Sequence, residues 1–282
     1  MAKMLSTDGY PVVVACNVLD LPQSSYYYHP VEKDERELEE AIEQIAGEFP
    51  RYGTRRISKQ LLRSPHKLSV GRKHVRRIMA QKDLLRPVKQ RKKRTTDSAH
   101  PYPRYANLVK NLEITHPDQV WASDITYVRL QQSFVYLAVV LDIFTRAVRG
   151  WCLSRTLDQE LSLAALRNAL LMGTPKIHHS DQGVQYAAYA YTDLLKANQV
   201  AISMAAIGKA EENGYVERWM RTIKEEEIDL SEYLDFHDAR NQIGCFIENV
   251  YMKKRIHSSL GYVTPVEFET NWQRSQLVEL SP

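Results

Sequence analysis

The chain has 282 residues, 44% hydrophobic and 26% charged, with a net charge of +4. That balance reads as a soluble globular protein, and no apolar run approaches the roughly 20 residues that cross a bilayer. Its three cysteines, Cys16, Cys152 and Cys245, form no CxxC pair and leave one over in any disulfide scheme, which fits a reducing compartment and argues against a zinc site.

The apolar patch Val12–Cys16 is soon followed by Asp20 and lacks a cleavage site, so it is not read as a signal peptide. Residues 11–28 predict a small helical element. Pro11 opens it, Pro22 breaks it, and Ser24 caps a second turn carrying Tyr26, Tyr27 and Tyr28. Packing is its simpler role, ahead of direct contact with DNA.

Residues 32–82 predict three helices. The first runs from about Glu32 to Phe49, with Leu38, Ile42 and Ile45 on one stripe. Arg51-Tyr52-Gly53 makes the break, and the second is short, with Ile57, Leu61 and Leu62 apolar. The third is expected to be capped by Ser69, with Val70, His74, Val75 and Ile78 inward and Arg72, Lys73, Arg76 and Arg77 on the other faces. A cationic helix after a tight connection is what a major-groove recognition helix requires, although phosphate contact alone also explains such charges.

The charge is unevenly spread. Residues 51–110 hold 19 Lys or Arg against only Asp83 and Asp97, so the rest of the chain is acidic on balance. Nucleic acid is the default partner for such a segment, with a merely solvated basic face as the plain alternative. Residues 84–112 read as an extended basic linker, in which Arg91, Lys92, Lys93 and Arg94 can follow a nucleic-acid backbone by charge.

From residue 118 the pattern turns to strands. Val120–Arg129, Phe134–Leu141 and Ala147–Ser154 predict an antiparallel meander. A helix over about 158–172, a short strand near Ile177, a helix near Tyr191–Ala197 and a last strand at Ala201–Ser203 follow, then a loop and a helix bearing Glu217. The expected fold is α/β: a ribonuclease-H-like mixed sheet with helices on both faces, preceded by an all-α helix-turn-helix domain.

Three acidic residues stand out against this frame. Asp124 lies mid-strand, where a buried carboxylate needs a cation or hydrogen-bond donors; a structural ion pair is the plainer alternative. Asp142 is its rival, but its sequel Ile-Phe-Thr-Arg reads as a turn or a partner for Arg146. Asp181 ends a strand ahead of Gln182-Gly183, beside His178 and His179, which read as hydrogen-bonding neighbours rather than zinc ligands. Glu217 shares a helical stripe with Asn213, Arg221 and Lys224; Glu217 and Lys224 are two turns apart, about 10 Å at 1.5 Å per residue. Hard carboxylate oxygens drawn from two strands and a helix suit a pair of Mg²⁺ ions, with the helix cations on DNA phosphate.

These residues fall within runs that together resemble the OrfB-type transposases of the bacterial IS-three group of insertion sequences, in the DDE superfamily with retroviral integrases. The runs are Tyr52-Gly53 with Arg55-Arg56-Ile57, Val75 to Met79, Trp121 to Tyr127, His179 to Tyr186, Asn213 to Arg218, and His257 to Tyr262 with Thr264-Pro265. Glu212, Met252 and the loop Met204–Glu211 depart from the family pattern. The resemblance implies Asp124, Asp181 and Glu217 as catalytic metal ligands and Lys224 as the basic residue seven positions on. It implies metal-dependent cleavage of insertion-sequence ends and transfer of the 3′-OH to DNA, with two Mg²⁺ ions that Mn²⁺ can replace. It also implies a homo-oligomer in a synaptic complex, an OrfA product as partner, and a cytoplasmic, nucleoid-associated protein. The expected domains are an N-terminal helical segment (1–30), a helix-turn-helix domain (31–83), the basic linker (84–112), an integrase catalytic core (113–230) and a C-terminal helical tail (231–282). A ribonuclease-H-like nuclease without strand transfer and a catalytically inactive DNA-binding regulator remain as alternatives.

Overall fold

The computed structural model describes residues 7, 9–28, 34–85, 102–206 and 210–279. Backbone contacts divide the chain into two units, Met1–Ala41 and Ile42–Pro282.

The first unit contains α1 (Val12–Val18) and α2 (Gln23–Tyr26). Pro11 and Pro22 occupy the two N-cap positions, with no side-chain cap at either. Ser24, expected to cap α2, is instead inside it. Pro22 has a fixed φ and needs no donor, and it lends its carbonyl to the amides of Ser25 and Tyr26. Val13, Val14, Val18, Tyr27 and Tyr28 are exposed. Helix α3 (Arg36–Glu48) begins after Asp34, whose Oδ1 accepts the Arg36 amide at 3.1 Å, and runs across the boundary between the units.

The second unit opens with α4 (Thr54–Leu61) and α5 (Arg72–Gln81), which pack together with Ile57, Leu61, Val75, Ile78 and Met79 buried. At about 1.5–3 kcal/mol for each fully buried large apolar side chain, these few residues hold the helical pair together. Helix α5 starts later than its sequence suggests. Gly71 is its N-cap, and Ser69 lies outside. The Ser58 hydroxyl donates to the Val70 carbonyl at 3.1 Å, and the amides of His74 and Val75 turn back to the Gly71 carbonyl. The chain thus enters the helix only at residue 72.

Five strands follow: β1 (Val120–Arg129), β2 (Phe134–Asp142), β3 (Val148–Ser154), β4 (Ile177–Ser180) and β5 (Ala201–Met204). Their order in the sheet is β3-β2-β1-β4-β5. The β1–β2 and β2–β3 pairs are antiparallel, and β1–β4 and β4–β5 are parallel. This is the expected meander extended by two parallel strands.

Between the strands lie α6 (Gln159–Leu170), α7 (Val184–Ala187) and α8 (Tyr189–Ala197). Asp158 caps α6 by accepting the Leu161 amide. Helix α6 buries Leu161, Ala165 and Ala169 against Trp121, Ala138 and Val140. Gly150 makes this close approach possible, because a Cβ there would stand 2.3 Å from the Ala165 carbonyl oxygen.

The opposite sheet face carries Val120, Ala122, Val128, Leu137 and Val139. It is covered by α9 (Gly214–Ile223) through Val216, Trp219, Met220 and Ile223, and by α10 (Phe236–Cys245) through Ala239 and Ile243. Helix α9 continues as a π-helical turn over Lys224–Ile228, and α10 as another over Phe246–Tyr251. The last helix among the described residues is α11 (Pro265–Glu279). The sheet therefore has helices on both faces, and side-chain alternation along β1 turns Asp124 toward the face that α9 covers.

Candidate active site

In the parallel pair β1–β4, Ser123 lies opposite Ser180. Asp124 and Asp181 are the next residues on each side, so they emerge at the same level on neighbouring strands. Asp124 is 6% exposed, and its Oδ1 accepts the Ile125 amide at 2.8 Å. Asp181 lies one residue beyond β4, and its Oδ1 accepts the Gly183 amide at 2.9 Å. That turn ends the strand and leaves little room at Gly183, where a Cβ would lie 3.0 Å from the same oxygen.

The start of α9 is fastened to both strands. Asn213 is buried at its N-cap, and its Nδ2 donates to the Ser123 carbonyl, one residue before Asp124, at 3.3 Å. His179, two residues before Asp181, places Nε2 3.2 Å from the Glu212 carbonyl oxygen. Glu217 therefore follows by a single turn, about 6 Å along the helix axis, a point tied to both aspartate-bearing strands. Asn213 is thus an anchor and not a member of a solvent-facing stripe.

Tyr186 was not singled out by the sequence reading. Its hydroxyl is buried, and its pKa is pushed well above the usual value, first by burial and then by the charges of Asp124, Tyr191 and Asp181. One buried hydroxyl is thus acted on by both carboxylates. The only sequence signal for it was its place at the end of the His179–Tyr186 run.

The two histidines serve the framework. His178 Nε2 lies 2.8 Å from Ser123 Oγ and 2.9 Å from the Tyr191 hydroxyl, and burial pushes its pKa down to about 3. His179 Nδ1 lies 2.8 Å from Ser203 Oγ, and burial lowers its pKa as well.

Asp142 is fully buried and occupied elsewhere. It accepts the amides of Asp118, Phe144 and Thr145 and pairs with Arg149 at 3.1 Å. The sequence read Asp142 as a turn residue or a partner for Arg146; the turn is there, in the Phe144 and Thr145 amides, and the Arg146 pairing is not. The hairpin turn between β2 and β3 instead puts Arg146 at φ 63° with its guanidinium 4.3 Å over the Tyr215 ring. Arg149 on β3 takes the carboxylate and also binds Asp118 and Glu269.

Lys224 begins the π-helical turn, its ammonium 4.5 Å from the centre of the Tyr127 ring. Arg221 is exposed one turn earlier, and Arg72, Lys73, Arg76 and Arg77 are all exposed on α5. Arg77 also contacts Gln81 and His74. Arg91, Lys92, Lys93 and Arg94 lie outside the described residues.

Among the described residues, no three His, Cys, Asp or Glu side chains are gathered into a ready metal cage. The structure brings together the segments that carry Asp124, Asp181 and Glu217 and leaves their carboxylates unclosed. As a donor set, three carboxylates fit a hard divalent cation such as Mg²⁺ and suit a soft one poorly.

Family comparison matches an HTH-like domain over residues 32–94, an integrase core domain over 114–210 and a second integrase core domain over 198–265. Among similar proteins is the uncharacterized 31 kDa protein of insertion element IS600 from Shigella sonnei, 31% identical over 92% of this chain and 98% of that one. The transposase for insertion sequence element IS629, also from Shigella sonnei, is 29% identical over 95% and 94% of the two chains. Transposase InsF for insertion sequence IS3A from Escherichia coli is 32% identical over 78% and 77%.

Proposed function

Since this chain belongs to the IS3-type transposases of bacterial insertion sequences, DDE enzymes that transpose DNA, we propose that Asp124, Asp181 and Glu217 are the residues through which it cuts and joins strands. The observation that carries this reading is the double fastening of α9: Asn213 to the strand of Asp124 and His179 to the Glu212 carbonyl, one turn ahead of Glu217.

The three carboxylates would hold two divalent cations, Mg²⁺ by preference and Mn²⁺ in its place. When bound, such ions activate the attacking oxygen and stabilise the leaving one in an in-line phosphoryl transfer. The chain's own groups do the rest. Gly183 and the Asp181 turn keep that carboxylate aimed off the strand end. Lys224, held over Tyr127, and Arg221 would take phosphates on either side of the reacting one. Arg72, Lys73, Arg76 and Arg77 would place α5 against the DNA, with Arg91, Lys92, Lys93 and Arg94 following its backbone.

Water attacks first and frees a 3′-OH at the element end; that hydroxyl then attacks a second strand, and each attack breaks one phosphodiester bond. No covalent protein–DNA intermediate is needed. Two ends must be joined, which calls for at least two copies of the chain in one complex. An OrfA product would add recognition of the ends, and the reaction would run at the nucleoid.

The test incubates the full chain with a labelled duplex carrying the element's own end, with Mg²⁺ or with EDTA. Joined products that form only with the metal are expected. Nicking without joining would indicate a nuclease, and binding with neither product would indicate a regulator; either outcome removes the proposal.

A further inference from the structure

The side of α9 next to Glu217 opens on a cavity of about 580 Å³ that has no part in the reaction proposed above. Four arginines line it, drawn from distant parts of the second unit: Arg56 from α4, Arg146 from the β2–β3 turn, Arg218 from α9 and Arg255 from the segment after α10. On the helix, Arg218 is one residue and 100° from Glu217, so the cavity adjoins the catalytic face and is distinct from it.

The charges are unequally matched. Arg255 is 2% exposed and spends its fork on Glu226, with Nε at 2.6 Å and Nη2 at 2.7 Å. Arg56 lies 3.8 Å from the same carboxylate. The Arg218 carbonyl accepts the Thr222 hydroxyl at 3.1 Å, but its guanidinium makes no hydrogen bond or ion pair with the described residues. Arg146 stacks on Tyr215, and its buried Nη1 has no acceptor among them; nor has the buried Nε1 of Trp219, which also lines the cavity. One carboxylate, Glu212, shares the wall, its Oε2 already accepting from Asn107 and the Ala206 amide, so the four guanidiniums outnumber it, and an anion with several oxygens would suit Arg146 and Arg218.

Two further facts agree. Arg146 is a non-glycine residue in the left-handed region, a backbone cost met at a position that delivers its side chain to this cavity. His257, on the cavity wall, is pushed down to about 2 by burial and by the charges of Arg255, Arg56, Arg146 and Arg218, so these guanidiniums act on a single ring. The hydroxyls of Ser258 and Ser259 complete the wall. The volume exceeds that of a bare phosphate and is in the range of a small-molecule site.

We propose that this cavity is a second contact for the DNA strand, in which Arg146 and Arg218 hold a phosphate of one nucleotide unit beside, and apart from, the reacting phosphodiester. The proposal rests on DNA being the substrate and is independent of the metal ligands. Because its walls come from α4, the hairpin turn, α9 and the segment after α10, an occupied cavity would bind the helix-turn-helix side of the unit to the catalytic helix.

The experiment is done in EDTA, so that the chemistry plays no part. Binding of a labelled single-stranded oligodeoxynucleotide is measured across a KCl series for the full chain and for Arg146→Gln, Arg218→Gln and the double variant. Each single change is expected to weaken binding several-fold and to flatten the slope of log K against log[KCl] by about 0.7, and the double by about twice that. In the unaltered chain, the Trp219 indole N–H resonance is expected to shift when the oligonucleotide is added, a readout that needs no variant. Wild-type slopes in all variants, or an unmoved Trp219 signal, overturn the proposal. A shift produced by inorganic pyrophosphate but not by the oligonucleotide assigns the cavity to a free anion and also overturns it. Failure of the full chain to bind DNA at all would defeat the proposed function as well, which separates the two failures.

Discussion

Asp181→Asn is expected to lower metal-dependent cleavage and joining by three powers of ten or more, at least about 4 kcal/mol of barrier, while leaving DNA binding in EDTA unchanged. The substitution is nearly isosteric. Asparagine keeps an Oδ1 that can accept the Gly183 amide, so the turn that ends β4 survives. What disappears is a full negative charge at the level of Asp124. A single amide oxygen is a weak replacement for a carboxylate on a hard cation. Single-turnover assays on end-labelled duplex measure the loss, and filter or anisotropy binding supplies the control. Activity within tenfold of the unaltered chain would remove Asp181 from the site.

The second large effect is on stability. Glu226→Gln is expected to cost about 3–5 kcal/mol of unfolding free energy, because it leaves the buried Arg255 guanidinium without its counter-charge. Glu226 lies three residues beyond α9 and receives both arms of the Arg255 fork. It also neutralises Arg56, which is largely buried beside it. Glutamine can accept from one arm only and turns donors toward the other. Around it the α4 side meets the core through hydrogen bonds to backbone too: the Tyr52 hydroxyl accepts the Ile256 amide at 2.9 Å, and Arg51 Nε donates to the Glu225 carbonyl at 2.9 Å. Urea unfolding followed by tryptophan fluorescence is expected to show a lower midpoint with an unchanged slope. A loss below about 1 kcal/mol would mean that Arg255 finds solvent when its partner is neutralised.

The sheet was legible because its periodicity is strong. Val120–Arg129 was read to the residue, its first half continuously buried and its second half alternating. The helix expected from about residue 158 was also plain, and Asp158 proves to be its cap. The start of α5 was not: Ser69 has the right chemistry for a cap, but a distant hydroxyl, Ser58, holds Val70 extended. Asp142 was rightly read as a possible turn residue, but the other reading, a pairing with Arg146, failed for a related reason. Arg146 is closer in sequence, yet a left-handed turn aims it at Tyr215. Local chemistry shows which residues can act, and long-range contacts decide which do. The candidate carboxylates could be picked out because an acid within an apolar strand is conspicuous. The arginine cavity could not, because Arg56, Arg146, Arg218 and Arg255 are unremarkable singly and meet only in the folded chain. The notable departure is that the three carboxylate-bearing segments are pinned together while no closed cage is formed among the described residues. Carboxylates brought near one another repel, and a divalent cation is what would offset that repulsion.

The most direct test of the acidic triad is a count of bound Mn²⁺ on the complex of the full chain with end DNA, made by electron paramagnetic resonance of the free ion. Two ions per chain are expected for the unaltered protein, and fewer than one for Asp124→Asn combined with Asp181→Asn, with DNA still bound. Equal counts in the two proteins would contradict the assignment of these carboxylates as the metal ligands.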